Sequence, residues 1–255
     1  MHILEDHTAR RSAFSEPRSS RYASPIAESV PFGELLARGG RDALEPKQLD
    51  FLTTIAKAGS GSIDIAGDAN LLAGRCIAVI GARKATELGR RRARQLGKQL
   101  AARGVVVVSG LAEGIDTEAL TGAMEAGGRV VAVIGTPIDQ AYPASNKRLQ
   151  EAIYRDHLLI SQFPAGGRVF PSNFPARNRT MAALSDASVV IEASDTSGTL
   201  HQAAECQRLG RWLVIARSVV EDPALTWPAK FLGHPKTIIL ETTDQLLTTI
   251  YETAK

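Results

Sequence analysis

From Gly74 to the end, short apolar runs without polar alternation alternate with stretches of helical periodicity, and this pattern limits the fold more than any other feature. Strand-like runs occupy Ile77 to Ile80, Val105 to Val108, Val130 to Ile134, Leu158 to Ser161, Ser188 to Ile191, Trp212 to Ile215 and Thr237 to Leu240. Between them, helical patterns run over Glu87 to Arg103, Ile115 to Ala126, Lys147 to Tyr154, Asn178 to Leu184 and Thr199 to Leu209, with a last one around Asp244 to Tyr251. A strand with no polar face is buried on both sides, and strands separated by helices pair in parallel. The fold class is therefore α/β: a Rossmann-like, doubly wound, mostly parallel sheet with helices on both faces.

Ahead of this domain, residues 1–24 are rich in Ser, Arg and His without periodicity and read as a disordered tail. Residues 25–60 read as a small helical N-terminal segment. One apolar stripe holds Phe32, Leu35 and Leu36, and a second holds Leu49, Phe51, Leu52, Ile55 and Ala56. The Rossmann domain then spans residues 61–255, with Ser62 to Ile65 as a short edge strand.

An open parallel sheet binds its ligands at the carboxyl ends of its strands, near the switch in strand order. Small residues, hydroxyls and cations collect at these ends: Gly81, Arg83 and Lys84; Ser109 and Gly110; Arg177, Asn178 and Arg179; Ser197, Gly198 and Thr199. Gly81 ends a strand, and a helix begins about six residues later. That arrangement aims backbone N–H groups and a positive dipole end at an anion. Arg83 and Lys84 would be disfavoured there unless an anion were bound. A rim of this composition suits a phosphodiester or nucleotide.

Net charge is +3, compatible with a nucleic-acid partner. Cys76 and Cys206 stand far apart and suggest neither disulfide framework nor zinc site. No apolar run is long enough to span a bilayer, and residues 1–24 are too polar for a signal peptide, so a cytoplasmic protein without membrane contact is expected. His201 and Glu205 lie four apart on a helix without a third ligand, which favours structural pairing and no metal. Asp116 reads as a loop organiser near a helix start. The cations of the basic helix, Arg90, Arg91, Arg92, Arg94, Lys98 and Arg103, read as a solvated face, with an extension of a nucleic-acid track as the alternative. Tyr142, Phe163 and Phe170 read as core, with Phe174 the best candidate for base stacking.

Ordered motifs carry a resemblance. The stretch from Ala78 to Thr86 (AVIGARKAT) resembles the opening of the DprA/Smf family of DNA-processing proteins. It is followed in order by Val108 to Asp116 (VSGLAEGID), Gly127 to Arg129 and Asn173 to Arg179 (NFPARNR). Leu184 to Asp186, Glu192-Ala193 and Thr196 to Leu200 complete the set. The resemblance covers roughly residues 66–215. It implies a Rossmann-like, non-catalytic domain that binds single-stranded DNA without a cofactor, forms a homodimer and loads a RecA-type recombinase during transformation and recombination. Carried over residue by residue, Gly81, Arg83 and Lys84 should meet phosphate, and Ser109 and Gly110 should line the pocket. Arg177 and Arg179 should touch the nucleic-acid backbone, with Asn178 tying the loop. Ser197, Gly198 and Thr199 should open a helix onto the pocket, Lys147 should extend the basic track, and Asn173 and Phe174 should complete it.

The chain also departs from the family pattern: Ala82 replaces a Ser, Leu120 replaces a His, and Ala216-Arg217-Ser218 replaces Pro-Gly-Ser. About fifteen residues follow Leu240, too few for the family's C-terminal winged-helix-like domain. These departures suggest an alternative role, a nucleotide-sensing or toxin-neutralising component of a phage-defence or toxin–antitoxin module with a cognate toxin or effector as partner. A third reading, a LOG-type nucleotide phosphoribohydrolase, needs a carboxylate three residues after Thr199. Gln202 stands there.

Overall fold

The computed structural model describes residues 22–43 and 61–252, which form one nine-stranded sheet with helices on both faces. The strands are β1 (Glu28–Pro31), β2 (Ser62–Gly67), β3 (Cys76–Gly81), β4 (Val106–Ser109), β5 (Val130–Ile134), β6 (Leu158–Ser161), β7 (Ala187–Glu192), β8 (Trp212–Ala216) and β9 (Thr237–Leu240). Their order across the sheet is β1-β2-β6-β5-β4-β3-β7-β8-β9. From β6 through β9 every neighbouring pair is parallel; β2 and β1 add an antiparallel margin.

The helices are α1 (Phe32–Arg38), α2 (Glu87–Ala101), α3 (Ile115–Glu125), α4 (Lys147–Asp156), α5 (Asn173–Ala183), α6 (Thr199–Arg208), α7 (Arg217–Val220) and α8 (Thr243–Tyr251). Successive residues of β3 show why the strand runs lack polar alternation. Cys76, Ala78 and Ile80 enter the core beneath α1, α5 and α6, whereas Ile77 and Val79 enter the one beneath α2, α3, α4 and α8. Both faces are covered, so both must be apolar.

Three expectations change. First, the segment expected to be helical contributes strand β1 before its helix, and this strand joins the main sheet by pairing with β2. Phe32, Leu35 and Leu36 of α1 are buried as the stripe requires, at about 2 kcal/mol of apolar burial each. The second stripe, Leu49 to Ala56, lies outside the described residues. Second, β2 is not at the edge, because β1 covers its outer side. Third, the helix expected from Asn178 starts at Asn173, so the Arg-Asn-Arg run lies within a helix rather than in a loop. Pro175 sits in its first turn, where a missing N–H has no intrahelical acceptor to lose, so proline does not mark a boundary here.

Of the residues expected to form the tail, 1–21 lie outside the description, but Tyr22 and Ala23 dock on the domain. Gln150 donates to the Tyr22 hydroxyl at 2.8 Å, which itself donates to the Ile138 carbonyl at 3.1 Å. Tyr154 donates to the Ala23 carbonyl at 2.8 Å. No helix among the described residues is long and apolar enough to cross a membrane.

Candidate nucleic-acid interface

The chain leaves β3 in one direction, towards β4, β5 and β6, and later returns through β7 to the other side, towards β8 and β9. The carboxyl ends of β3 and β7 therefore flank the switch in strand order. A pocket of about 210 Å³ opens there, walled by Gly81, Arg83, Asp116, Arg177, Asn178 and the Ser197-Gly198-Thr199 turn. It is smaller than the usual ~300 Å³ lower bound for small-molecule sites, so it admits a fragment of a nucleotide rather than a large metabolite.

Sequence-local chemistry builds each wall. Gly114 has φ +79°, and a Cβ there would strike the Ala82 and Arg83 carbonyls, so only glycine lets the β4–α3 loop close on the β3 turn. Thr86 caps α2 by accepting from Gly89 N–H at 3.0 Å. Its own N–H and hydroxyl donate to the Glu192 carboxylate at 2.9 and 2.6 Å, which ties the β3 turn to the end of β7. At the start of α6, Ser197 Oγ accepts from Thr199 N–H at 3.2 Å. Asn178 donates to the Gly198 carbonyl at 3.2 Å and accepts from Arg177 Nε at 3.0 Å, locking α5 to the α6 turn.

Arg83 is exposed, and its guanidinium stacks 4.9 Å from the Phe174 ring centre. Phe174 is half-buried and packs on Tyr142, 5.6 Å between ring centres. Arg83 is thus pre-positioned over an aromatic face yet keeps its charge at the pocket mouth.

Arg177 behaves differently. It is buried, and its Nη1 donates to the Gly110 carbonyl and, at 2.7 Å, to the Val133 carbonyl, joining the ends of β4 and β5. Asp116 is buried beside it. Its Oδ2 accepts from the N–H groups of Gly110 at 3.2 Å and Ala112 at 3.4 Å, so it does organise the loop as expected. Burial pushes the Asp116 carboxyl above its ordinary range, although Arg177 and the two N–H donors pull it back. Burial likewise pushes Arg177 down to about 10, so it remains charged at neutral pH. Arg177 and Asp116 thus place a buried, desolvated guanidinium and carboxyl side by side on the pocket wall.

The expected site residues thus divide. Gly81, Arg83, Phe174, Arg177, Asn178, Ser197, Gly198 and Thr199 converge on the pocket. Ser109 and Gly110 lie beneath it: the Ser109 hydroxyl donates to the Val79 carbonyl at 2.6 Å, and Gly110 has no Cβ because the Arg177 guanidinium fills that place. Asn173 is buried at the start of α5 and does not line the pocket. Arg179 points along α6, where it pairs with Glu205 at 3.3 Å. Lys147 opens α4, outside the pocket, and Lys84 faces an adjacent groove. Glu205 also accepts from Arg208 at 2.7 Å, so its partners are Arg179 and Arg208 rather than the expected His201.

Two polar wall residues were not among the expected site. Asp116 and Gln202 line the pocket, the latter fully buried with Nε2 on Ser188 Oγ at 2.9 Å. Gln202 was legible in principle: it lies one turn after Thr199, on the same face of α6. Tyr142 and Phe170, read as core, are about half exposed, at 47% and 54%.

These features define an open-sheet α/β protein with a pocket lined by arginines and a helix N-terminus at its topological switch point. The model of the family described as DNA recombination-mediator protein A matches residues 51–249, and the chain belongs to that family. It is 40% identical to DNA processing protein DprA of Streptococcus pneumoniae over 145 residues, covering 57% of this chain and 51% of the relative. Against the putative DprA of Mycobacterium tuberculosis it is 36% identical over 173 residues, 68% of this chain and 44% of the relative. The chain therefore spans about half the length of these curated relatives.

The X-ray structure of the Streptococcus pneumoniae protein superimposes with a TM-score of 0.68 at 31% identity, over 77% of this chain and 70% of that one. The Helicobacter pylori DNA processing protein A, whose structure describes its single-stranded DNA binding mode, superimposes with a TM-score of 0.70. At 23% identity over 90% of this chain and 97% of that one, it bears on the fold alone.

Proposed function

We propose that this chain binds single-stranded DNA at the carboxyl rim of its sheet and acts as a DprA-type mediator that delivers the strand to a RecA-type recombinase. The observation that carries the reading is Arg83: an exposed cation at the mouth of the switch-point pocket, stacked on Phe174 and beside the positive end of α6. Phosphate meets a cation and helix N–H groups there, and a base meets an aromatic face, the two elements of sequence-tolerant strand binding. The Glu needed for the phosphoribohydrolase reading is replaced by Gln202, an amide with no acid–base capacity. A homodimer is consistent with β9, whose outer edge pairs with no described strand.

The test is fluorescence anisotropy with labelled oligonucleotides of different base composition at several salt concentrations. Wild type should bind all of them with affinity that falls as salt rises. Arg83→Ala should weaken binding about tenfold at low salt and flatten the salt slope by about 0.7, one phosphate contact on a single strand. Strong preference for one composition, or no binding even at low salt, would defeat the reading.

A further inference from the structure

Beside the switch-point pocket lies a second depression of about 550 Å³ that shares Arg83 and Ser197 with it and runs towards α2. Its walls carry Lys84, Arg92, Ser194 and Ser218. The first family motif ends at Thr86, before Arg92, and the sequence alone leaves Arg92 on either a solvated helix face or a nucleic-acid track.

The cations of α2 are not equivalent. Arg91 pairs with Glu87 at 3.6 Å, and Arg94 with Glu118 at 2.7 Å and with Glu125. Lys98 pairs with Glu125 at 3.1 Å. Just beyond the helix, Arg103 pairs with Asp244 at 2.6 Å. Arg90 Nε donates to the Ala85 carbonyl at 3.4 Å. Arg92 has no hydrogen bond or ion pair among the described residues, nor has Lys84, and both are exposed on the groove. Lys84 also precedes the capped N-terminus of α2, where a cation is unfavourable unless an anion lies near.

Two carboxylates share the groove wall. Glu192 is held by the Thr86 N–H and hydroxyl, and Asp222 accepts from Ala224 N–H at 2.9 Å, so each already has a donor. The cations therefore outnumber the carboxylates, and the carboxylates are the groups already engaged. Hydroxyls at Ser194 and Ser218 add donors suited to phosphate oxygens, whereas the Ser197 hydroxyl already donates to Thr199 Oγ1 at 2.9 Å.

We propose that this groove is a phosphodiester track: Lys84 and Arg92 hold the backbone of the nucleotides that follow the one seated at Arg83, so the strand leaves the pocket towards α2. The proposal rests on the single-strand reading above and gives that strand a direction. The groove meets a third depression through Arg92 and Ser218, but Glu221 and Glu241 lie there against Arg217, so the track weakens at that point.

The experiment compares wild type, the double variant Lys84→Ala/Arg92→Ala and the control Lys98→Ala, using thymidine monophosphate and oligothymidylates of up to about 16 nucleotides. With the shortest, the double variant should bind as wild type does, because only the pocket is occupied. With the longest it should bind about tenfold more weakly at low salt, with a salt slope lower by about 1.4, two phosphates at ~0.7 each. Lys98→Ala should leave both lengths nearly unchanged. Equal affinities for the double variant and wild type at every length would overturn the track. So would an equal loss at all lengths, or a loss matched by Lys98→Ala, since these report a general field. Failure of wild type to bind any length would overturn the single-strand reading itself, and the track with it.

Discussion

Two Arg–Asp pairs sit at opposite ends of the same sheet, and they are built in opposite ways. At the amino end, Arg41 grips Asp186 with two bonds, Nε to Oδ1 at 2.8 Å and Nη2 to Oδ2 at 2.9 Å. Arg41 also donates to the Leu72 and Gly74 carbonyls, while Asp186 accepts from Cys76 N–H and the Tyr251 hydroxyl. The clasp joins the N-terminal segment, β3, β7 and α8, and its charges face each other. At the carboxyl end, Arg177 and Asp116 share no hydrogen bond. Arg177 is held instead by two carbonyls and the Asn178 amide oxygen, and Asp116 by two backbone N–H groups. Arg177 keeps its charge on a pocket wall. A closed pair holds a fold together; an open pair leaves field for a ligand.

The comparison can be broken by removing each cation. Arg177→Ala leaves Asp116 buried without a counter-charge and two carbonyls without a donor, which should cost about 4 kcal/mol in urea denaturation and abolish strand binding. A stable, fully folded Arg177→Ala protein would show that the open pair is not structural. Arg41→Ala should cost about 3 kcal/mol by the same measurement, yet leave strand affinity of the folded fraction unchanged, because the clasp is remote from the rim. Lost binding in a folded Arg41→Ala protein would end the division of labour between the two pairs.

Smaller changes sharpen it. Tyr251→Phe deletes one hydrogen bond to the Asp186 carboxylate and should lower stability by about 1.5 kcal/mol. The last effect is one of pH. The Asp116 carboxyl is raised in the folded state, so the native protein holds that proton more tightly than the unfolded chain does. Its contribution to stability is greatest at low pH and is lost as pH rises from about 4 through the raised value. The wild-type minus Asp116→Asn difference in unfolding free energy should decline over that interval, and a difference that rises would reverse the assignment.

The carboxyl rim was more legible in sequence than the amino-end clasp. Gly81, Arg83 and the Ser197-Gly198-Thr199 turn follow strand ends directly, and local order alone brings them to one rim. Arg41 is a single cation after Gly39-Gly40, and nothing local says that it reaches Asp186 across 145 positions of sequence. Among the rim residues, the reading failed where direction mattered. Neither Arg177 nor Arg179 stands free as a loop cation would: Arg177 is buried and turns in towards strand carbonyls, while Arg179, though exposed, lies along α6 towards Glu205. That split comes from Pro175 lying inside the first turn of α5, which extends the helix through both residues.

What the sequence by itself determined was the alternation of doubly buried strands with helices, and hence a parallel sheet with a ligand rim at its carboxyl ends. Hydrophobic periodicity is a local property, and it survives in any one-dimensional reading. Which cations remain without an internal partner was decided only by tertiary structure. Arg92 and Arg94 are two residues apart on one helix, yet Arg94 meets carboxylates of α3 and Arg92 meets an open groove. An ion pair depends on which element packs opposite, and that is settled only when the sheet brings the helices together.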